Sequence, residues 1–99
     1  MVYGYSCLRQ FPKSEKHTLS ADIRQAMYEI DKLITRAHKK YFKKTTLQDL
    51  DIEIAHLKSL IRLAKELDFL PFGKYENWEK KIIELGKMVG GWIKSTSGS

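Results

Sequence analysis

The stretch that decides the fold is residues 74–94, KYENWEKKIIELGKMVGGWIK. Its large apolar residues recur at steps of three or four, the spacing that places side chains along one side of an α-helix. These residues are Tyr75, Trp78, Ile82, Leu85, Val89 and Trp92. The pattern predicts a helix over about residues 74–94, with an apolar stripe that neighbouring elements must cover.

Two segments upstream carry the same spacing. The first runs from residue 14 or 18 to residue 42, and the second from about residue 46 to residue 69. Thr45 or Thr46 is the predicted N-cap of the second segment, with acidic Asp49 in its first turn. The apolar stripes of the two segments consist of Leu19, Ile23, Met27, Ile30, Ile34, Ala37 and Tyr41, and of Leu47, Leu50, Ile54, Leu57, Ile61 and Ala64.

Three amphipathic helices joined by short loops predict an all-α fold, an antiparallel up-down helix bundle of the four-helix-bundle type. The 99 residues are enough for one domain, expected over residues 1–95, with a disordered tail at 96–99. The opening MVYGYSCLRQ can form a short helix, although Gly4 weakens it. The sequence shows no signal peptide and no apolar run long enough for a membrane span, so we expect a cytoplasmic protein without membrane contact.

Three glycines stand inside the last predicted helix, where each costs about 1 kcal/mol relative to alanine. Gly86 and Gly90 form an apolar shoulder with Ile83 and Ile93, beside the main stripe. One interpretation is that Gly90 or Gly91 ends the helix as a C-cap. The other is that the glycines let a second backbone approach closely. The apolar spacing continues past the glycines, which favours close packing.

The second helical segment also has an apolar stripe away from its core positions. A helix with a wider apolar arc than one core requires is expected to bury a second face. Both extra stripes therefore predict self-association. The predicted interface residues are Ile52, His56, Leu63, Ile83, Gly86, Gly90 and Ile93.

The charge pattern indicates an anionic partner. Eighteen lysines and arginines against twelve acidic residues give a net charge of +6, which makes nucleic acid the first candidate and a generic basic protein the alternative. Several basic residues fall in stripes on single helix faces, and we expect little exposed aromatic interleaving, hence no base stacking. The predicted nucleic-acid-binding residues are Lys32, Arg36, Lys39, Lys40, Lys43, Lys44, Arg62, Lys80 and Lys87.

The residue types needed for catalysis are not grouped in the sequence. Cys7 is the only cysteine, which excludes a disulfide within the chain, and no neighbouring histidine activates it. His17, His38 and His56 are too far apart in sequence to indicate a metal site. Arg36 and His38 lack the spacing of the arginine–histidine pair found in small helical ribonucleases. We therefore predict a protein that is not an enzyme, with no catalytic residue, metal or cofactor.

Three segments, read in order, carry a resemblance to a known family. They are FPKS at residues 11–14, LIRLA at residues 60–64 and GKMVGGWIK at residues 86–94, of which the last is the most specific. Over about residues 11–95 the sequence resembles the small four-helix-bundle family of Avd, the accessory variability determinant of diversity-generating retroelements. Proteins encoded in ribosomal RNA intervening sequences are relatives, and the last segment favours the Avd branch.

The resemblance implies a non-enzymatic function. Proteins of this family form barrel-shaped homopentamers with a basic surface, bind the retroelement's reverse transcriptase and RNA or DNA, and support mutagenic copying of a template repeat into a variable gene. The resemblance also implies a long helix before the Phe-Pro-Lys turn. Only ten residues precede Phe11 here, so the first helix is expected to be short or truncated. A structural oligomer or adaptor, or an intervening-sequence protein without a retroelement role, are the alternatives.

Overall fold

The computed structural model describes residues 2–9, 18–39 and 44–97, and all regular structure in these ranges is helical. The predicted all-α bundle of four-helix type with a short first helix is confirmed. Its helices are α1 (Val2–Leu8), α2 (Leu19–Lys39), α3 (Lys44–Glu66) and α4 (Phe72–Ser97).

Helix α3 lies at the centre of the arrangement, because it packs against both α2 and α4. In the groove between α3 and α4, Asp51 and Lys87 lie together at one position, and Arg62 and Glu79 lie together at another. Residue numbers therefore rise along α3 as they fall along α4. The two helices are antiparallel, as an up-down bundle requires.

The predicted apolar stripes form one core. All six stripe positions predicted for α3 are buried. On α2, Ile34 is only partly buried, and Tyr41 lies outside the described residues. The core residues with the least exposed side chains include Leu8, Ile23, Met27, Ile30, Leu47, Leu50, Leu57, Ile61, Trp78 and Ile82.

Helix α1 fills part of the space between α2 and α4, and Gly4 is the residue that allows it. A Cβ atom added at Gly4 would lie 2.6 Å from Sδ of Met27 and 2.7 Å from Cζ2 of Trp78. The Tyr3 hydroxyl, one residue earlier, donates a hydrogen bond to the Lys74 carbonyl at 3.3 Å. The view that Gly4 only weakens this helix was therefore incomplete, because no larger residue fits between α1 and the core.

Two helix boundaries differ from the prediction. Helix α3 begins at Lys44, and Thr46 is buried within it, so the predicted N-cap at Thr45 or Thr46 is wrong. Its end is fixed by Asp68, whose φ of 61° is left-handed. The amides of Asp68 and Phe69 donate to the carbonyls of Lys65 and Ala64, at 3.0 and 2.9 Å. This double hydrogen bond is the Schellman motif, and α3 ends at Glu66, three residues before the predicted end near residue 69.

Helix α4 is continuous through its glycines. It extends to Ser97, two residues into the segment predicted as a tail, and residues 98–99 lie outside the described range. None of the glycines in the described part of the chain has a positive φ. The C-cap interpretation of Gly90 or Gly91 is therefore wrong, because both residues lie within the helix.

Candidate functional site

The basic stripe of α2 consists of Lys32, Arg36 and Lys39, all exposed. Steps of four and three residues place them on one side of the helix, away from buried Leu33 and Ala37. No ion pair within 4 Å joins any of the three to another residue in the described ranges. Their charges are therefore available to an external anion.

The other predicted nucleic-acid-binding residues lie elsewhere on the surface. Arg62 and Lys80 are exposed and each contacts a glutamate one turn away: Arg62 Nε lies 3.5 Å from Glu66, and Lys80 Nζ lies 3.9 Å from Glu76. Such exposed pairs contribute about 0.5 kcal/mol or less, but they partly neutralise these cations. Lys87 is exposed on α4.

Three predicted cations lie at the start of α3 or outside the described residues. Lys44 is exposed at the first position of α3. Lys40 and Lys43 lie outside the described residues. The seven described members of the predicted set lie on three different helices. Five of them form no ion pair with another described residue, and three of these five make up the α2 stripe; the other two are Lys44 and Lys87.

The glycine shoulder of α4 consists of Ile83, Gly86 and Gly90. Ile83 and Gly86 line an open groove of about 300 Å³ beside α3. A Cβ atom added at Gly86 would lie 3.9 Å from Cγ2 of Ile54, an ordinary contact. Apart from the backbone of α4 itself, no described atom lies within 4 Å of a Cβ added at Gly90 or Gly91. Among the described residues, none therefore uses the close approach that Gly90 permits.

The outer stripe of α3 consists of Ile52, His56 and Leu63, and it is a separate surface. Ile52 is 65% exposed and Leu63 is 43% exposed, and neither they nor His56 line the groove beside the glycine shoulder. Leu67, one turn beyond Leu63, extends the outer stripe and is also exposed. Leu67, which follows the last residue of α3, was not among the predicted interface residues. Ile93, predicted as interface, is half-buried against the core.

Two exposed tyrosines line one groove beside the α2 stripe. Tyr5 of α1 and Tyr28 of α2 line an open groove of about 350 Å³ together with Asp31, Lys32 and Thr35. Tyr28 is 52% exposed and Tyr5 is 39% exposed. The prediction of little exposed aromatic interleaving is wrong here. The sequence did not reveal this groove because it depends on where α1 packs.

An apolar cleft opens between α2 and α4 beyond the end of α1. It has a volume of about 550 Å³. The rings of His38 and Trp92 lie across it, with centroids 4.9 Å apart, and Met88 at its edge is 71% exposed. The cleft exists because α1 has only seven residues and covers part of the space between the longer helices.

The chain was compared with known protein families. A family model described as bAvd-like matches residues 1–96. The chain belongs to the bAvd-like family. The predicted Avd resemblance is thereby confirmed, and the match extends over α1, ahead of the segments that carried the resemblance. No curated protein and no solved structure matches the chain.

The reactive groups of this bAvd-like chain are buried or dispersed. Cys7 is buried in α1, and burial raises the pKa of its thiol, although a hydrogen bond with Tyr3 and the charge of Lys74 act in the opposite direction. A thiol with a raised pKa is a poor nucleophile. Within the described ranges, no three His, Cys, Asp or Glu residues are grouped to hold a metal ion. The described helices include none with the length and apolar character to cross a membrane.

Proposed function

We propose that this bAvd-like chain is a non-enzymatic accessory protein that self-associates, binds nucleic acid and acts in the cytoplasm with the reverse transcriptase of a diversity-generating retroelement. Membership in the bAvd-like family supports the retroelement role and the polymerase partner. The observation that carries the nucleic-acid part is the exposed basic stripe of α2, which forms no ion pair with another described residue, on a chain of net charge +6.

The α2 stripe suits phosphate binding for a geometric reason. Lys32, Arg36 and Lys39 project from a helix of 21 residues whose opposite side is fixed in the core. Successive charges are separated by about one helical turn, roughly 5–6 Å along the axis. Because the backbone is already ordered, binding has to order only the side chains, and each phosphate contact releases counterions.

Self-association is supported by the two apolar surfaces, which differ from each other. The glycine shoulder lies on α4 and the outer stripe lies on α3. When one surface of a subunit meets a different surface of the next, the contact is head-to-tail, and such contacts close into rings when the rotation allows. The homopentamer expected from the Avd resemblance is a ring of this kind. A ring would also repeat the α2 stripe and strengthen nucleic-acid binding through multivalency.

A structural oligomer or adaptor is the second candidate function. The neutralised charges of Arg62 and Lys80 favour it, because part of the basic surface then serves solubility alone. In that case the chain self-associates but does not depend on the α2 stripe for any partner. An intervening-sequence protein without a retroelement role remains the third.

The test is a salt series of binding curves with two variants of equal charge. One carries Lys32→Glu, Arg36→Glu and Lys39→Glu, and the matched control carries Arg62→Glu, Lys80→Glu and Lys87→Glu. Each phosphate contact contributes a slope of about 0.7–0.9 log units of affinity per log unit of salt. We expect the α2 variant to bind more weakly, and its salt slope to fall by the amount that about two to three phosphate contacts contribute. The control variant is expected to lose much less affinity and much less slope. Equal losses would show that total charge, not the stripe, is responsible.

A further inference from the structure

The groove that holds Tyr5 and Tyr28 is built from two helices that are distant in sequence. Helix α1 contributes Tyr5, and α2 contributes Tyr28, Asp31, Lys32 and Thr35. The Thr35 hydroxyl donates to the Asp31 carbonyl of its own helix at 3.1 Å. Neither tyrosine hydroxyl makes a hydrogen bond in the described part of the chain. The hydroxyl groups of both tyrosines are therefore not used by the described part of the fold.

The two rings do not act as core residues. Tyr28 is 52% exposed and Tyr5 is 39% exposed, whereas Tyr75 and Trp78 on α4 are buried and hold the helices together. Exposed aromatic rings in a concave surface leave apolar area in contact with water, and their flat faces are available for stacking.

Tyr28 belongs to the same side of α2 as the basic stripe. Tyr28, Lys32 and Arg36 follow one another at steps of four residues, and all three are exposed. The aromatic pair therefore lies at the amino-terminal end of a row of exposed positive charges. This combination of a cationic track with adjacent aromatic faces is typical of surfaces that bind single-stranded nucleic acid.

We propose that Tyr5 and Tyr28 form a stacking platform for unpaired bases of single-stranded nucleic acid, whose phosphates follow Lys32, Arg36 and Lys39. The Asp31 carboxylate in the groove repels phosphate, so the backbone passes on the lysine side and the bases lie over the rings. A duplex binds through the basic stripe alone, because its bases are stacked inside the double helix. The proposal rests on the nucleic-acid binding proposed above and adds the preferred form of the ligand.

The test compares Tyr5→Ala/Tyr28→Ala with the wild-type protein on three probes of equal length: a single strand of mixed sequence, the same strand with abasic sites, and a duplex. We expect the double variant to lose about 5- to 150-fold in affinity for the single strand for each base that stacks. Affinity for the abasic strand and for the duplex is expected to be unchanged, because both contact only the charges.

Two further variants separate the rings from other effects. Tyr5→Phe/Tyr28→Phe keeps the aromatic faces, so it is expected to bind the single strand as the wild type does. Phe72→Ala removes an exposed ring at the start of α4 and is expected to leave all three affinities unchanged. Circular dichroism verifies that each variant retains its helices.

The outcomes distinguish the platform from the function on which it rests. Equal losses on the single strand and the duplex, an unchanged affinity of the alanine variant for the single strand, or a phenylalanine variant as weak as the alanine variant would each overturn the stacking proposal while nucleic-acid binding stands. A wild-type protein that binds none of the three probes would overturn both.

Discussion

Gly4 and Gly90 are both glycines within helices, but their packing environments are opposite. Gly4 lies in a closed region, where an added Cβ atom would meet Met27 and Trp78 at 2.6 and 2.7 Å. Gly90 lies in an open region, where an added Cβ has no described atom within 4 Å outside the backbone of its own helix. Gly4 is therefore explained by packing within the chain, whereas Gly90 lowers helix stability and no contact among the described residues uses its small size.

The difference shows which part of the surface the chain covers with its own residues. The region around α1 is packed within the single chain, since the side chains of Cys7 and Leu8 are buried there. Gly86, one turn before Gly90 on α4, lines the groove beside α3 together with Ile83. Under the proposed function, a second copy of the chain covers this region and makes use of the glycine.

The largest effect is expected from an alanine in the closed region. Gly4→Ala places a methyl group against a buried indole, and overpacking of this kind typically lowers the free energy of unfolding by about 1–3 kcal/mol. Urea unfolding measures the loss. The matched control is Gly91→Ala, which places the same group in open space and is expected to raise the free energy by about 0.5–1 kcal/mol. Two variants of equal stability would show that α1 is not docked as described.

A leucine at Gly90 sharpens the comparison in the open region. Gly90 is exposed and an added Cβ meets no described side chain, so the helix content of Gly90→Leu measured by circular dichroism is expected to be retained. In an assembly the leucine overpacks the interface and lowers the free energy of association by about 1–3 kcal/mol. The mass measured by light scattering is therefore expected to fall. Gly91→Leu, one residue further round the helix, is the control and should keep its mass. Loss of mass in both, or in neither, would remove Gly90 from the interface.

The smallest expected effect on stability is that of the Cys7 thiol, which also reports whether α1 remains packed on the core. Burial raises the pKa of its thiol in the folded chain, while the unfolded thiol ionises near pH 8.5. Stability is therefore unaffected below that pH and falls as the pH rises above it, because the unfolded state alone releases the proton there. We expect thiol labelling to be slow in the native protein and faster in Gly4→Ala. Native labelling as fast as that of the urea-unfolded chain would mean that α1 is open.

The fold was largely predictable because its signal is local. Steps of three and four residues identify the long helices, and the six predicted core positions of α3 are all buried. The start of α3 was not predictable to the residue, because threonine is a good N-cap but is also tolerated inside a helix. The end of α3 depends on Asp68 in a left-handed conformation. This end was hard to predict because the residue in that conformation after a helix is usually glycine.

The candidate surfaces were predictable only where they lie on one helix. The stripe of Lys32, Arg36 and Lys39 follows from helical spacing alone. The groove of Tyr5 and Tyr28 joins two helices, and it depends on how deeply α1 packs, which Gly4 controls. The sequence showed Gly4 as a weak point in a helix, because the residues that require it, Met27 and Trp78, are distant in the chain.

The measurement that tests the central claim most directly is the mass of the wild-type protein in solution. Multi-angle light scattering at micromolar concentration reports the mass without reference to shape. If a second copy covers the open glycine region, the mass is several times the 11.6 kDa of one chain, and five times for the ring expected from the Avd resemblance. A single species at the mass of one chain would contradict the account, because Gly90 and its apolar neighbours would then remain exposed to water.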